Sequence, residues 1–317
     1  MCGIVGIFHK TPAVAGALPA GPVGDVLVEM CGHLFRRGPD STGFALYGVP
    51  EDGMLRLRVD LDRPDHGLAA ELVALAAAQV VPLRDSQRAG RSVRLEVGPV
   101  PPGSGIEGKL ADWICDRVPG TRVFSVGRAM EIVKDVGSAG DVDRAYGVRA
   151  MTGTHGIGHT RMATESRVDI AHSHPFWARP FPDIAVVHNG TITNYHRLRR
   201  RLEMKGHRFS TQNDSEVIAV YVADRLQRGE SLEEALTAST SDLDGSFAYL
   251  ISTDRGIGLA RDQFATKPLL YAENDDLVVL SSEEVALRAV FTDPSLVPQE
   301  LGAKEVRWWL REPAPVS

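Results

Sequence analysis

The chain begins MCGIVGIFHK (1–10), and this stretch decides how the rest of the sequence is interpreted. A cysteine stands directly behind the methionine, and glycines interrupt the short apolar run Ile4–Phe8. Apolar residues alternating with glycine over 2–8 are typical of a buried strand. Because a chain terminus frays unless tertiary contacts hold it, a cysteine at position 2 needs an explanation.

The chemistry of a thiol suggests one. A thiol is a strong nucleophile only as the thiolate, and its ordinary pKa of about 8.5 requires a base close by. Removal of Met1, which a small second residue permits, leaves Cys2 with an α-amine of pKa roughly 7.7–8.0. That amine is a base attached to its own nucleophile, and Gly3 lets the backbone turn tightly beside it. An incidental buried cysteine is the alternative.

Composition narrows the class of protein. The 317 residues are 43% hydrophobic and 24% charged, which is typical of a globular chain, and the net charge of −6 gives no electrostatic basis for binding nucleic acid. No apolar run approaches the roughly 20 residues of a membrane span, and no signal peptide is visible. The three cysteines are widely spaced, which argues against a disulfide framework. We expect a cytoplasmic protein that binds no membrane.

Residues 50–149 have the pattern of a separate unit. Strands are predicted at 55–61, 92–100 and 121–127, with helices at 67–79 and 106–118 between them. This β-α-β-α-β order predicts an inserted small α/β subdomain, of ferredoxin-like type, with its own core. Nothing in it indicates chemistry.

Polar motifs follow within 40 residues, namely GIGHTRMAT (156–164), HSHPF (172–176) and VVHNGTITNY (186–195). The remaining chain has many strands and few helices without strict alternation, which favours an α+β sandwich over a doubly wound sheet.

Three motifs have both a chemical and a plain interpretation. In HNG (188–190) the Asn189 amide and the Gly190 N–H offer two donors for an oxyanion, although Asn-Gly is also a common turn. Arg161 suits a substrate carboxylate, or is a surface residue. Asp214 could hold an ammonium group, or could be the N-cap of the helix that follows.

Histidines crowd the same region and raise the alternative of a metal site. HGIGH places His155 and His159 four residues apart, but the glycines between them disfavour a helix, and no H-E-x-x-H is present. We expect neither a metal nor a cofactor.

Together these stretches resemble one family, the class II glutamine amidotransferases, which are N-terminal-nucleophile (Ntn) hydrolases. The resemblance covers about 2–48 and 152–290. Eight blocks occur in the order of the family: CGIVGIF, RRGPDSTGFAL, GHTRMAT, HSHPF, VVHNGTITNY, FSTQNDSEVI, LDGSFAYLI and LARDQFATKPLLYA.

The resemblance implies the fold. We expect an αββα four-layer sandwich formed by 2–49 and 150–300, with the insert at 50–149 and a C-terminal tail at 301–317.

It also implies a reaction. Cys2 resembles the nucleophile that attacks the side-chain amide of L-glutamine to form a thioester, with its own α-amine moving the proton. Asn189 and Gly190 resemble the oxyanion hole, and the products are glutamate and ammonia.

The implied substrate contacts lie in the other blocks. Arg161 resembles the residue that binds the α-carboxylate of glutamine, and Asp214 the one that binds its α-ammonium. Thr164 and His174 resemble residues that shape the glutamine loop. Met162 departs from the family, in which an aromatic residue is common.

No synthase motif follows residue 290, so the resemblance implies that a separate synthase subunit accepts the ammonia. The arrangement resembles the glutaminase-type subunit of enzymes related to glutamate synthase and N-methylglutamate synthase, by fold-level analogy. One alternative is a non-hydrolytic subunit that binds an amino acid or stabilises such a complex. Another is an amidase with an N-terminal cysteine, against which Arg161 and Asp214 argue because together they recognise a free α-amino acid.

Overall fold

The computed structural model describes residues 2–10, 22–163 and 168–311. Thr164 therefore lies outside the described residues. The helices in the described ranges are α1 (Val23–His33), α2 (His66–Ala78), α3 (Ile106–Arg117), α4 (Ala139–Tyr146), α5 (Tyr195–Met204), α6 (Asp214–Gln227), α7 (Leu232–Asp242) and α8 (Glu284–Val290).

The first sheet has seven strands and contains the N-terminal stretch at its centre. Its members are β1 (Gly3–His9), β2 (Ser41–Tyr47), β7 (Met130–Val136), β8 (His155–Arg161), β13 (Leu270–Glu273), β14 (Leu277–Ser281) and β15 (Gln299–Glu300). The order is β15-β13-β14-β1-β8-β2-β7, and every pair is antiparallel.

The second sheet has five strands. They are β9 (Phe176–Trp177), β10 (Ala185–Ile192), β11 (Gly245–Thr253), β12 (Gly256–Arg261) and β16 (Val306–Leu310), in the order β16-β12-β11-β10-β9. β10, β11 and β12 are consecutive antiparallel neighbours, so this part of the sheet is a simple meander.

The two sheets pack face to face between layers of helices. A Cβ added at Gly6 of β1 would lie 3.1 Å from Leu250 Cδ1 of β11, which shows how closely the sheets approach. α1 covers the outer face of the seven-stranded sheet, and α6 and α7 cover the five-stranded one. This helix–sheet–sheet–helix arrangement confirms the predicted αββα sandwich.

β1 is buried on both faces, which explains its continuous apolar sequence. Ile4 and Phe8 belong to the core between the sheets, whereas Val5 and Ile7 pack against the helix layer. Successive side chains of a strand point to opposite faces, so a strand in the middle of a sandwich needs apolar residues at both odd and even positions.

The insert forms a third, four-stranded sheet with α2 and α3 packed on it. β3 (Leu55–Leu61), β4 (Leu83–Ala89), β5 (Ser92–Val97) and β6 (Thr121–Gly127) pair antiparallel in the order β4-β5-β3-β6. The chain order is β-α-β-β-α-β, which is the ferredoxin-like topology. β4 is the strand that the sequence analysis missed. The apolar core of the four-stranded unit is continuous with the core between the two larger sheets. The expectation that the insert has its own separate core is therefore wrong.

The boundaries of the units differ from the predicted ones at two places. Within the predicted insert 50–149, β7 pairs with β2 of the seven-stranded sheet and α4 contacts α1, so the four-stranded unit spans only 55–127. Within the predicted tail 301–317, β16 pairs with β12 and forms the edge of the five-stranded sheet. In both cases a short strand finds its partner far away in sequence, which local patterns do not reveal.

Candidate active site

Cys2 lies directly before β1, and several contacts fix this start of the chain. The Cys2 carbonyl accepts a hydrogen bond from Arg37 Nε at 3.0 Å. The Ile4 N–H donates to Ser282 Oγ at 2.9 Å, and the Ser282 N–H donates to the Ile4 carbonyl. A Cβ at Gly3 would lie 2.6 Å from Thr160 Oγ1, so the position has no space for a side chain. The thiol-bearing residue is therefore anchored on the central strand.

The environment of the Cys2 thiol raises its pKa. Burial is the largest effect, and it outweighs a backbone hydrogen bond from Met162 and the charges of Arg161 and Arg37, which favour the thiolate. The thiol is therefore mostly protonated near neutral pH, and a nucleophilic role needs a base that removes its proton.

Arg161 ends the strand next to the cysteine. β8 pairs with β1 so that Thr160 faces Gly3, and Arg161 is buried directly beyond. Asp40 holds the chain at this point: its N–H donates to the Arg161 carbonyl at 3.0 Å, and its carboxylate accepts from the Ala163 N–H at 2.7 Å. The next residue, Thr164, is not described.

Asn189 and Gly190 lie in β10 of the facing sheet. The Asn189 side chain is buried, and its Nδ2 has no hydrogen-bond partner in the part of the chain that the structure describes. Gly190 has a φ of 138°, and a Cβ there would lie 2.0 Å from the Ser246 carbonyl oxygen, so only glycine fits. Buried amide donors are normally paired, which makes the Asn189 amide a candidate for binding a ligand oxygen.

A hydrogen bond between the sheets places these residues at one end of the sandwich. His159 Nε2 donates to the His188 carbonyl at 3.0 Å. His159 stands two residues before Arg161, and His188 stands directly before Asn189. The structure thus brings Cys2, Arg161 and Asn189 to the same end.

His174 belongs to a buried network rather than to an open surface. His174 Nε2 lies 2.8 Å from Ser215 Oγ, and His188 Nδ1 lies 2.9 Å from the same hydroxyl. The His174 ring also stacks on His159, with ring centroids 4.0 Å apart. Burial lowers the pKa of all three histidines, that of His159 to about 3, so the rings are neutral near pH 7.

Asp214 is the first residue of α6 and not its N-cap. Asn213 is the N-cap, because its side-chain oxygen accepts from the Ser215 N–H at 2.9 Å. Asp214 Oδ2 accepts from the Ile192 N–H at 2.9 Å, and Asp214 Oδ1 lies 3.8 Å from His188 Nδ1. The capping alternative for Asp214 is therefore wrong, and its carboxylate lies at the end of β10 that also carries Asn189.

The histidine pair HGIGH does not form a metal site. Both residues lie on a strand, where His155 Nε2 donates to the Thr253 carbonyl at 2.7 Å and His159 Nε2 to the His188 carbonyl. Across 2–10, 22–163 and 168–311, no three histidine, cysteine, aspartate or glutamate side chains gather in a geometry that could hold a metal ion. None of the helices in these ranges is long and apolar enough to cross a bilayer.

Four residues near the site escaped the sequence analysis. Ser215 joins two histidines, although in sequence it is only a residue in the first turn of a helix. Arg37 holds the Cys2 carbonyl and pairs with Glu283 at 2.5 Å. Glu216, which is buried, fixes the loop before α6 by accepting from the Ser210 and Thr211 N–H groups at 2.6 and 2.8 Å. Ser215, Arg37 and Glu216 lie inside the quoted blocks, so the blocks themselves were the available signal for them.

Lys134 is the fourth. Its Nζ donates to the carbonyls of Ser173 and Pro175 at 2.7 and 3.1 Å, on either side of His174. The ammonium group lies between the rings of Phe124 and Phe176, 4.7 and 4.8 Å from their centroids. Burial lowers the pKa of Lys134 to about 7. A lysine directly after the apolar pair Ile132 and Val133 was the available signal.

Comparison with known proteins shows the family of the chain. A family model described as a glutamine amidotransferase domain matches residues 159–289. The chain is 41% identical over 319 residues to a protein assigned to the glutamine amidotransferases in Methanothermobacter thermautotrophicus, covering 97% of this chain and 99% of the relative. It is 36% identical to the glutamine amidotransferase-like protein GlxB of Rhizobium meliloti, and the match covers 100% of this chain and 97% of the relative.

Two solved structures share the fold. The allosteric regulatory enzyme of purine biosynthesis aligns over 97% of this chain and 46% of its own, with a TM-score of 0.59 and 19% identity. Glutamine phosphoribosylpyrophosphate amidotransferase from B. subtilis aligns over 97% of this chain and 47% of its own, with a TM-score of 0.58 and 18% identity. This chain therefore belongs to the glutamine amidotransferase family, as a class II domain with the Ntn-hydrolase fold. It is a glutamine-hydrolysing enzyme.

Proposed function

We propose that Cys2 attacks the side-chain amide carbon of L-glutamine and forms a γ-glutamyl thioester. Removal of Met1 gives Cys2 an α-amine that takes the thiol proton and later passes it to the departing ammonia. The raised pKa of the buried thiol supports this role, because such a thiol stays protonated unless a base is adjacent. Water then releases glutamate and restores the thiol.

The observation that carries the proposal is the unpartnered Asn189 amide. A buried Nδ2 without an acceptor, at the same end of the sandwich as Cys2, supports a role in binding the oxyanion of the tetrahedral intermediate. The Gly190 N–H is proposed as the second donor. Because both donors lie in β10, they are held in place before the reaction begins.

Arg161 and Asp214 are proposed to select a free α-amino acid. Arg161 would pair with the α-carboxylate, for which its planar guanidinium is suited. Asp214 would pair with the α-ammonium group, since its carboxylate is already held by the Ile192 N–H. His174 is proposed to shape the glutamine loop, with Lys134 holding the segment 173–175 in place. Thr164 remains a proposed member of the glutamine loop.

Trapping the acyl intermediate tests the proposed reaction. With glutamine and hydroxylamine, the full chain is expected to form γ-glutamyl hydroxamate. Cys2→Ala abolishes the product, whereas Cys115→Ala, at a half-buried cysteine on α3, leaves the rate unchanged. Hydroxamate formation that survives Cys2→Ala would contradict the proposal. Glutamine binding without any hydroxamate would support the alternative of a non-hydrolytic subunit.

We also propose that the ammonia passes to a synthase on a separate subunit, as in complexes related to glutamate synthase or N-methylglutamate synthase. The two full-length relatives support this, because the chain covers 99% and 97% of them and leaves little length for a fused synthase. The test is to purify the tagged chain from its native cells. A stoichiometric complex that hydrolyses glutamine faster than the isolated chain is expected. An isolated chain that is fully active and binds no second subunit would contradict it.

A further inference from the structure

A cavity lies between the insert and the seven-stranded sheet. Its volume is about 830 Å³, and its lining includes Arg56 of β3, Leu46 of β2 and Thr154, the residue before β8. The cysteine lies at the opposite end of these strands, where Ser41 pairs with Arg161. Seven-residue strands separate the two ends by roughly 20 Å, so this cavity is distinct from the proposed glutamine site.

The lining is strongly cationic. Four arginines and one carboxylate face the cavity, which gives the lining a net charge of +3: Arg56, Arg58, Arg88, Arg94 and Glu131. Glu131 is ionised, because Arg58 and Arg94 hold its pKa below the usual range in spite of burial. Including Glu96, which pairs with Arg94 at 2.6 Å and approaches Arg56 at 3.7 Å, still leaves two positive charges in excess.

Arg58 also has an unused donor. Its side chain is 3% exposed and binds Glu131, but its Nε is buried and finds no acceptor within the described ranges. A buried charged donor is normally paired, because it has lost its hydrogen bonds to water. The described residues therefore supply too few acceptors for this guanidinium cluster, and the surplus of positive charge around the cavity indicates that an anion binds there.

Part of the remaining wall is apolar. Leu46, Val49 and Met151 line the same cavity, so it offers an apolar surface beside the guanidinium groups. Its volume lies within the roughly 300–1,000 Å³ of small-molecule sites, which is much more than an inorganic ion needs.

We propose that this cavity binds an organic anion, with a phosphate or carboxylate group among the arginines and an apolar body against Leu46, Val49 and Met151. Guanidinium groups bind both kinds of group in bidentate fashion. The site is formed jointly by the insert and the sandwich, which gives the insert a function that its sequence did not indicate.

Calorimetric titration of the full chain tests the proposal, with AMP for the phosphate class and citrate for the carboxylate class. At least one is expected to bind saturably, with an affinity that falls as salt rises. Arg88→Gln is expected to weaken binding about tenfold or more, since a charge-assisted contact is lost. Arg84→Gln is the matched control, because Arg84 is exposed on the same strand and does not line the cavity.

The outcomes separate clearly. Binding of AMP alone or of citrate alone assigns the anionic group, and binding of both supports a general organic-anion site. If neither AMP nor citrate binds saturably, the proposal is overturned. Equal weakening by Arg88→Gln and Arg84→Gln, or displacement of the probe by glutamine, would overturn it as well. None of these results depends on whether Cys2 is the nucleophile.

Discussion

The Asn189 amide shows how a single residue acquires a role from its position. Its backbone pairs with Ala248 in an ordinary antiparallel ladder, so the strand holds the residue in place without using its side chain. The side chain is buried, and within the described chain its Nδ2 is left without an acceptor. A donor that is already desolvated and fixed needs no reorganisation when a negative oxygen develops beside it.

Replacement of Asn189 by Ala tests this at the level of the reaction. We expect kcat for glutamine hydrolysis to fall about 10²–10³-fold, which corresponds to about 2.7–4 kcal/mol, with a much smaller change in KM. Steady-state kinetics measure both values, and circular dichroism checks that the variant is folded. An equal loss of kcat in Asn189→Ala and in a folded variant substituted far from the site would contradict the proposed role of Asn189 in binding the oxyanion.

Asp214 carries the second prediction at this scale. Asp214→Asn keeps an oxygen that can accept from the Ile192 N–H but removes the charge proposed to bind the α-ammonium group. We expect the KM for glutamine to rise about 10–100-fold, as for loss of a charge-assisted hydrogen bond, with kcat little changed. Asp116→Asn, on the exposed side of α3, is the control. An unchanged KM in Asp214→Asn would remove Asp214 from the substrate site.

Among the elements, β8 joins the two sheets through buried histidines. His155 donates a hydrogen bond to the Thr253 carbonyl of β11, and His159 donates one to the His188 carbonyl of β10. The strand is therefore hydrogen-bonded to the facing sheet at two points. Burial lowers the pKa of each ring to about 3, and each ring is therefore neutral in the folded protein.

The depressed pKa values make the protein sensitive to acid. Between pH 6.5 and 3 the unfolded chain binds more protons than the folded one, so the free energy of unfolding falls as the pH falls below about 6.5. One such histidine accounts for at most about 2 kcal/mol between pH 6.5 and 5. Urea unfolding at several pH values should show a smaller slope for His155→Gln than for wild type. An identical slope would contradict this account of His155.

β7 carries another buried base, whose effect falls at higher pH. Lys134 is buried, and its pKa is lowered to about 7, so the unfolded chain binds more protons between pH 7 and 10.5. Lys134 therefore makes stability rise with pH over this window. In Lys134→Met this rise should be smaller by up to about 2–3 kcal/mol between pH 7 and 9, as measured by urea unfolding. A variant with the wild-type pH dependence would show that Lys134 is not titrating as described.

The elements differ in how well the sequence predicts them. β1 and α1 could be predicted because their apolar patterns are local and strong. β4 could not, because its exposed face is polar, and β7 and β16 were hidden because they pair with strands distant in the chain. Pairing of this kind is decided by tertiary contacts rather than by propensity.

At the scale of the whole molecule, the motif order predicted the sandwich but not the way the insert joins it. Cys2, Arg161 and Asn189 lie in or beside strands that meet at one end of two facing sheets, so these residues of separate blocks come together without being close in sequence. Lys134 could not be predicted in this way, because it lies outside the blocks and its importance comes from the groups it is packed against. The cationic cavity is also a property of two units together and has no sequence motif.

The central claim is that Cys2, once it begins the chain, is the nucleophile of a glutamine-hydrolysing site. The most direct test is the intact mass of the purified chain before and after treatment with a diazo-ketone analogue of glutamine, followed by peptide mapping. We expect Met1 to be absent and one adduct to form on Cys2, and we expect glutamine to protect Cys2 from the analogue. A retained Met1, an adduct on Cys115 instead, or no adduct on a processed chain would contradict the account.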